Sequence, residues 1–299
     1  MKIGLNGGGD FNRVSDVLEH ARIGAADGFR SYWLSQIFGV DALTALAIVG
    51  TAVADLEVGT AIVPTYPRHP TALAVQAMTV QQAIGGRLVL GIGPSHKPIV
   101  EQMWGASYAH PLGHTREYVA ALRPLLHGEP ANVAGEHLVA RGALTVAAPP
   151  VPLLVAGLGP RMLECAGAEA DGTVTWMCGL KTVESHIVPR VRAAAARAGR
   201  PAPRIVVGLP VCVTDDAERA RSYAAEKLKR YAGLASYRAM LDREGAHGPE
   251  DICLIGDEGR VREAITALAA AGATDLRATE LEPTPDDRAR TRKLLKRLL

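Results

Sequence analysis

Short apolar runs alternate with longer alanine-rich stretches along the whole chain. Eight runs read as strands: Lys2–Leu5, Ser31–Ser35, Glu57–Val63, Arg87–Ile92, Pro152–Ala156, Gly172–Trp176, Arg204–Val213 and Asp275–Ala278. Most are continuously apolar, which is the pattern of strands covered on both faces. The stretches between them read as helices. Strand–helix alternation of this kind predicts a parallel sheet. Eight such units in 299 residues predict an α/β protein built as a (β/α)8 TIM barrel. An open doubly wound sheet is the alternative. Residues 1–299 read as a single domain, with no linker and no repeat.

Capping residues sharpen the helices. Ser15 is placed to cap a helix that ends near Asp27-Gly28. Pro70 opens a helix that runs to Ile84 and stops at Gly85-Gly86. Thr182 is placed to cap a helix through Ala198, kinked at Pro189. Thr284 caps the last helix, whose acidic start and basic end suit its dipole. Two connections are long, after the fourth and the seventh strands, and must hold extra elements. The second contains Asp215–Glu244, which reads as two charged amphipathic helices. They form either a cover over the catalytic face or an enlarged outer layer.

Composition narrows the function. Thirty-three Lys+Arg against 31 Asp+Glu leave a net charge of +2, too weak a field for a nucleic acid or membrane partner. No apolar run reaches the ~18 residues of a membrane helix, and the start lacks a signal-peptide pattern. A cytoplasmic location is expected. Cys165, Cys178, Cys212 and Cys253 are widely spaced and read as buried free thiols. No His, Asp or Glu stands at metal-ligand spacing, so no metal is expected.

Three glycine-containing turns follow candidate strands: Gly7-Gly8-Gly9, Gly91-Ile92-Gly93-Pro94-Ser95-His96 and Ala156-Gly157-Leu158-Gly159-Pro160-Arg161. In the third, a glycine loop runs into a helix with proline in its first turn. Free amides there, with Arg161, can hold a phosphate; a plain turn with an exposed Arg161 is the other reading. Neither of the longer turns matches a dinucleotide fingerprint or a P-loop. His96 directly follows a strand, where barrels keep catalytic side chains. His114 and Tyr108 lie in the connection beyond it. Arg68-His69-Pro70 precedes a helix and reads as a pocket edge or as a segment that only shapes the turn. Trp176 and Trp33 are rings able to wall a planar ligand or to cap the core. His20, His127 and His186 read as outer-helix residues.

Taken in order, several segments resemble the bacterial luciferase-like barrel superfamily. They are Lys2-Ile3-Gly4-Leu5, Tyr32-Trp33-Leu34-Ser35-Gln36, Thr60-Ala61-Ile62-Val63-Pro64, Arg68-His69-Pro70, Arg87–Gly93, Gly157–Met162 and Ala170-Asp171-Gly172. Within the superfamily the chain is similar to oxidoreductases that use coenzyme F420, an 8-hydroxy-5-deazaflavin, such as methylenetetrahydromethanopterin reductase-like proteins. The resemblance implies a ring-binding mouth at the C-terminal end of the barrel. A bulge after the third strand, often with a non-proline cis peptide, would support the ring through Ile62, Val63, Pro64 and Thr65. Gly93, Pro94 and Ser95 would flank it, as would Ser35, Gln36 and Trp176. The cofactor phosphate would sit at Ala156, Gly157, Leu158, Gly159, Pro160 and Arg161.

The chain departs from that pattern at one point. Family members that oxidise alcohols carry Asp-His after the second strand, where this chain has Ser35-Gln36. The resemblance therefore implies hydride delivery to a polarised C=C or C=N, with His96 as first candidate proton donor and His114 and Tyr108 behind it. Two other readings remain: an FMN-dependent monooxygenase, and a non-catalytic barrel that binds a flavin or a partner chain. The substrate is expected to be a small molecule or peptide. The Ala-rich helix Thr115–Leu126 is a candidate homodimer face.

Overall fold

The computed structural model describes residues 1–299. Its eight main strands are β1 (Lys2–Asn6), β2 (Ser31–Leu34), β3 (Glu57–Thr60), β4 (Leu88–Gly93), β5 (Leu153–Val155), β6 (Gly172–Trp176), β7 (Arg204–Val213) and β8 (Asp275–Glu280). Each pairs in parallel with the next, and β8 returns to pair with β1, so the sheet closes into a TIM barrel. The doubly wound alternative is excluded by that closure.

Outside the barrel lie α1 (Val14–Ala26), α2 (Ala42–Ala52), α3 (Pro70–Ala83), α4 (Pro111–Leu126), α5 (Pro160–Glu169), α6 (Val188–Arg197), α7 (Ala217–Ala232), α8 (Ala235–Glu244), α9 (Glu258–Ala270) and α10 (Pro285–Arg297). The main core packs these helices against the outward faces of the strands. A second, smaller cluster fills the barrel itself, with Trp33, Ala61, Val89, Leu154, Val174 and Val206. Trp33 fits there because Gly59 stands beside it: a Cβ on that residue would lie 2.4 Å from the indole. Below it, at the N-terminal end, Arg204 bonds both Glu57 (2.6 Å) and Asp275 (2.5 Å), and its guanidinium lies 5.4 Å from the Trp33 ring.

Several expected boundaries shift. The third strand breaks after Thr60, passes through a cis Ala61–Ile62 peptide and resumes as the two-residue segment Val63–Pro64 beside β4. Ser15 is not a cap: α1 starts one residue earlier, after Arg13, and the Ser15 hydroxyl donates to the neighbouring Asp16 carboxylate. Thr182 is not a cap either. It lies inside a helical turn that begins after Gly179, and its N–H donates to Glu244. A π-helical turn at Val183–Ile187 follows and runs directly into α6, whose second residue is Pro189. Thr284 does cap α10. The long connections hold more than helices. A hairpin of Ala131–Ala134 and Val139–Gly142 follows α4, and a short strand, Leu254–Gly256, extends the end of β7. No helix is long and apolar enough to cross a membrane.

Candidate active site

The C-terminal ends of the strands surround a cavity of about 830 Å³, the size range of small-molecule sites. Its first wall is flat. Ile62 and Pro64 line it, while Val63 and Thr65 between and after them turn inward and are fully buried. Gly93 keeps this wall flush: a Cβ there would crowd Ala156 at 3.1 Å and Ile62 at 3.3 Å. Pro94 and Ser95 continue the rim from β4. Ser95 and, beyond β6, Met177 hold positive φ angles of 62° and 55°. Non-glycine residues in this region are uncommon and cluster at functional mouths.

Ser35 and Gln36 both reach the cavity, and the Ser35 hydroxyl and the Gln36 oxygen are bonded to protein. The Ser35 hydroxyl donates to the Ala61 carbonyl at 2.6 Å. The Gln36 side-chain oxygen accepts from the Ala42 amide at 2.7 Å, at the start of α2. These residues brace the wall.

At the far rim, Ala156, Gly157, Leu158 and Gly159 line the cavity, whereas Pro160 and Arg161 do not. Arg161 is exposed on the outer surface. The loop runs into α5, whose N-cap Gly159 provides no side-chain cap; Pro160 has no N–H and the Met162 amide bonds the Gly159 carbonyl, so in the first turn the Arg161 amide remains for a ligand. His186, expected on an outer surface, is fully buried and donates through Nε2 to the Leu158 carbonyl at 2.7 Å. It holds the loop from behind.

The helices α7 and α8 settle their alternative. Tyr223, Lys227, Arg230, Tyr231 and Tyr237 from this pair face the cavity, so they cover the mouth. Trp176 meets them, with Tyr231 edge-on at 6.0 Å. Trp33 lies below in the barrel core and walls nothing. The Arg68-His69 segment is also away from the cavity. Arg68 pairs with Asp41, and the His69 ring bonds the Val139 carbonyl in the hairpin.

The three candidate proton carriers separate. His96 lines the cavity and packs against Tyr237 at 5.6 Å. Burial first, and then Arg230, hold its pKa below the usual imidazole value. Tyr108 also lines the cavity; its hydroxyl donates to the Ser95 carbonyl at 3.0 Å, and burial pushes its pKa up to about 12. His114 does not reach the cavity. Its ring stacks on Tyr66 at 4.1 Å and contacts the buried Thr65 hydroxyl at 3.1 Å. Burial lowers its pKa to about 4. The expectation that His114 donates to a ligand is therefore corrected, since it packs behind the wall. All four cysteines are buried and free, and burial raises their pKa values.

Three polar residues of the cavity floor escaped the sequence reading: Asn6, Arg277 and Thr279. Asn6 donates to Thr279 at 2.7 Å. Asn6 and Thr279 stand at the C-terminal ends of β1 and β8, and Arg277 two residues before Thr279 on the same face, a position that alternation along the strands would have marked as interior.

The luciferase-like monooxygenase family matches residues 3–275 of this sequence. The chain belongs to that family. Within reach of it are a 5,10-methylenetetrahydromethanopterin reductase from Methanolobus tindarius, 28% identical over 78% of this chain and 72% of the relative. A Mycobacterium tuberculosis protein named as a coenzyme F420-dependent oxidoreductase is 28% identical over 95% of this chain and 85% of its own. Among solved structures, the F420-dependent tetrahydromethanopterin reductase of Methanopyrus kandleri superimposes with a TM-score of 0.82, 20% identity and coverage of 99% and 97%. An FMN complex of a Baeyer–Villiger monooxygenase component from Pseudomonas putida reaches 0.77 at 19% identity, covering 99% and 96%. The family's barrel thus carries both cofactor types among these neighbours.

Proposed function

We propose that this protein is an oxidoreductase that uses reduced coenzyme F420 to reduce a polarised C=C or C=N bond. The observation that carries the reading is the lining of the cavity. Ile62, Pro64 and Gly93 line it together with the aromatic rings of Trp176, Tyr231 and Tyr237 and with the Gly157–Gly159 loop. A planar tricyclic ring with a phosphate-bearing tail fits that combination. The Mycobacterium tuberculosis relative named for F420 supports it over FMN.

A bound reduced deazaflavin supplies hydride, and the barrel supplies orientation and a water-poor pocket. Ser35 and Gln36 hold the flat wall in place. His186 holds the phosphate loop. The cover of α7 and α8 narrows access of water to the cavity, which strengthens polar contacts inside. The substrate's reduced atom pair gains one hydride and one proton. His96 is placed to bring the proton, because it follows β4 directly and reaches the cavity. Ser35-Gln36 in place of Asp-His removes the base that alcohol oxidation needs and supports the reductive direction.

Binding of oxidised F420 and of FMN, measured side by side on the purified protein by fluorescence quenching, tests the reading. Tight F420 binding with weak FMN binding is expected. The reverse preference overturns it in favour of oxygen-dependent chemistry, and binding of neither overturns both.

A further inference from the structure

Arg277 lines the cavity as a buried charged side chain, and no carboxylate in the protein pairs with it. It is 3% exposed. Its Nε and Nη1 have no hydrogen-bond partner, and Nη2 makes a single long contact, 3.4 Å, to the Thr175 carbonyl. No carboxylate pairs with it. Of the acidic residues around the cavity, Glu280 is committed to Arg292, Glu282 to Arg288, and Asp10 stands 4.0 Å from Arg230. Burial lowers its pKa only to about 10, so it stays charged at neutral pH.

The fold makes room for this cation. A Cβ at Gly208 on the adjacent strand would lie 2.5 Å from Nε. The Trp176 ring lies 5.0 Å from the guanidinium carbon, a favourable but weak partner for a cation. Beside it, the Asn6 side-chain oxygen is also unpaired. Buried unpaired polar groups are rare in native proteins and call for a reason. A guanidinium kept dry and unpaired is complementary to a planar two-oxygen anion.

We propose that Arg277 is the substrate-recognition residue of this cavity, pairing with a carboxylate on a small organic acid whose flat, unsaturated body packs against Trp176, Tyr231 and Tyr237. The acid is the substrate on the oxidoreductase reading given above; the binding site itself does not depend on that reading.

Benzoate and its uncharged counterpart benzamide are suitable probes, titrated calorimetrically into the purified protein with and without oxidised F420. Benzoate is expected to bind at least tenfold more tightly than benzamide. Arg277→Met is expected to abolish that preference and to raise the thermal midpoint, because it removes an unpaired buried charge; Arg277→Lys is expected to keep part of the preference. Gly208→Ala, which displaces the guanidinium, is expected to weaken benzoate at least tenfold and serves if Arg277→Met does not fold. F420 affinity is expected to be unchanged in each. Equal binding of the two probes overturns the proposal, as does a benzoate preference that survives in the variants. A loss of F420 affinity in Arg277→Met overturns it too, assigning the arginine to the cofactor. Wild-type protein that binds benzoate but not F420 leaves the acid site standing and removes the F420 reading alone.

Discussion

The Ser35 hydroxyl donates to the Ala61 carbonyl at 2.6 Å, joining the end of β2 to the backbone that leads into the cavity wall at Ile62. The bond ties the loop after β2 to that wall, as the Arg68–Asp41 pair does further along, and it leaves Ser35 no spare proton for a ligand. Ser35→Ala is expected to leave that carbonyl unpaired at a cost of about 1–3 kcal/mol. The thermal midpoint should fall by about 2–4 °C for each kcal/mol, and F420 affinity should fall with it. An unchanged midpoint in a thermal melt would show that the bond contributes nothing.

His96 predicts a pH profile. Burial and Arg230 keep it neutral at pH 7, and its imidazolium fraction grows as the pH falls below 6.5 toward its lowered pKa. With His96 as donor, kcat/KM for substrate reduction should rise over that interval. His96→Gln should flatten the profile and lower turnover ~10²–10⁴-fold. A flat wild-type profile, with the loss appearing instead in Tyr108→Phe, would move the role to Tyr108.

His114 predicts acid sensitivity of the fold. An unfolded chain protonates this imidazole near pH 6.5, whereas the folded protein holds off the proton until about pH 4. Its stabilising effect is therefore present above pH 6.5 and is lost as the pH falls between those two values. The loss is about 2 kcal/mol, allowing for partial solvent access. Urea unfolding at pH 7 and pH 4.5 should show it, and His114→Phe should show a smaller difference between the two. An equal acid loss in the variant would contradict the assignment.

Arg204 predicts a purely structural defect. It neutralises Asp275, which is 2% exposed, and Glu57 at the closed end of the barrel. Arg204→Met should cost about 3 kcal/mol by leaving a buried carboxylate unpaired. Because this network lies at the opposite end of the strands from the cavity, benzoate and F420 affinities measured below the melting range should match wild type.

Much of the barrel was legible in the sequence because continuous apolar strands and capped helices are local signals. The apolar runs located all eight strands to within a few residues, and Pro70, Pro160 and Thr284 marked true helix starts. The glycine turns after β1, β4 and β5 were likewise visible, and all three border the cavity. The misreadings came where a side chain's partner lies far away in sequence. Ser15 and Thr182 looked like caps, yet Thr182 answers to Glu244, 62 residues away. His186 looked like an outer-helix residue until its bond to Leu158 placed it behind the loop.

The sequence by itself therefore determined the barrel, the family and the loops that carry a site, since each rests on periodicity and on glycine and proline placed along a short stretch. Only the tertiary structure decided which side chains reach the cavity. It turned His114 and Arg161 away, drew α7 and α8 over the mouth, and set Arg277 on the floor without a counter-ion. Burial and charge balance are sums over neighbours from many strands, and closure of the sheet alone brings those neighbours together.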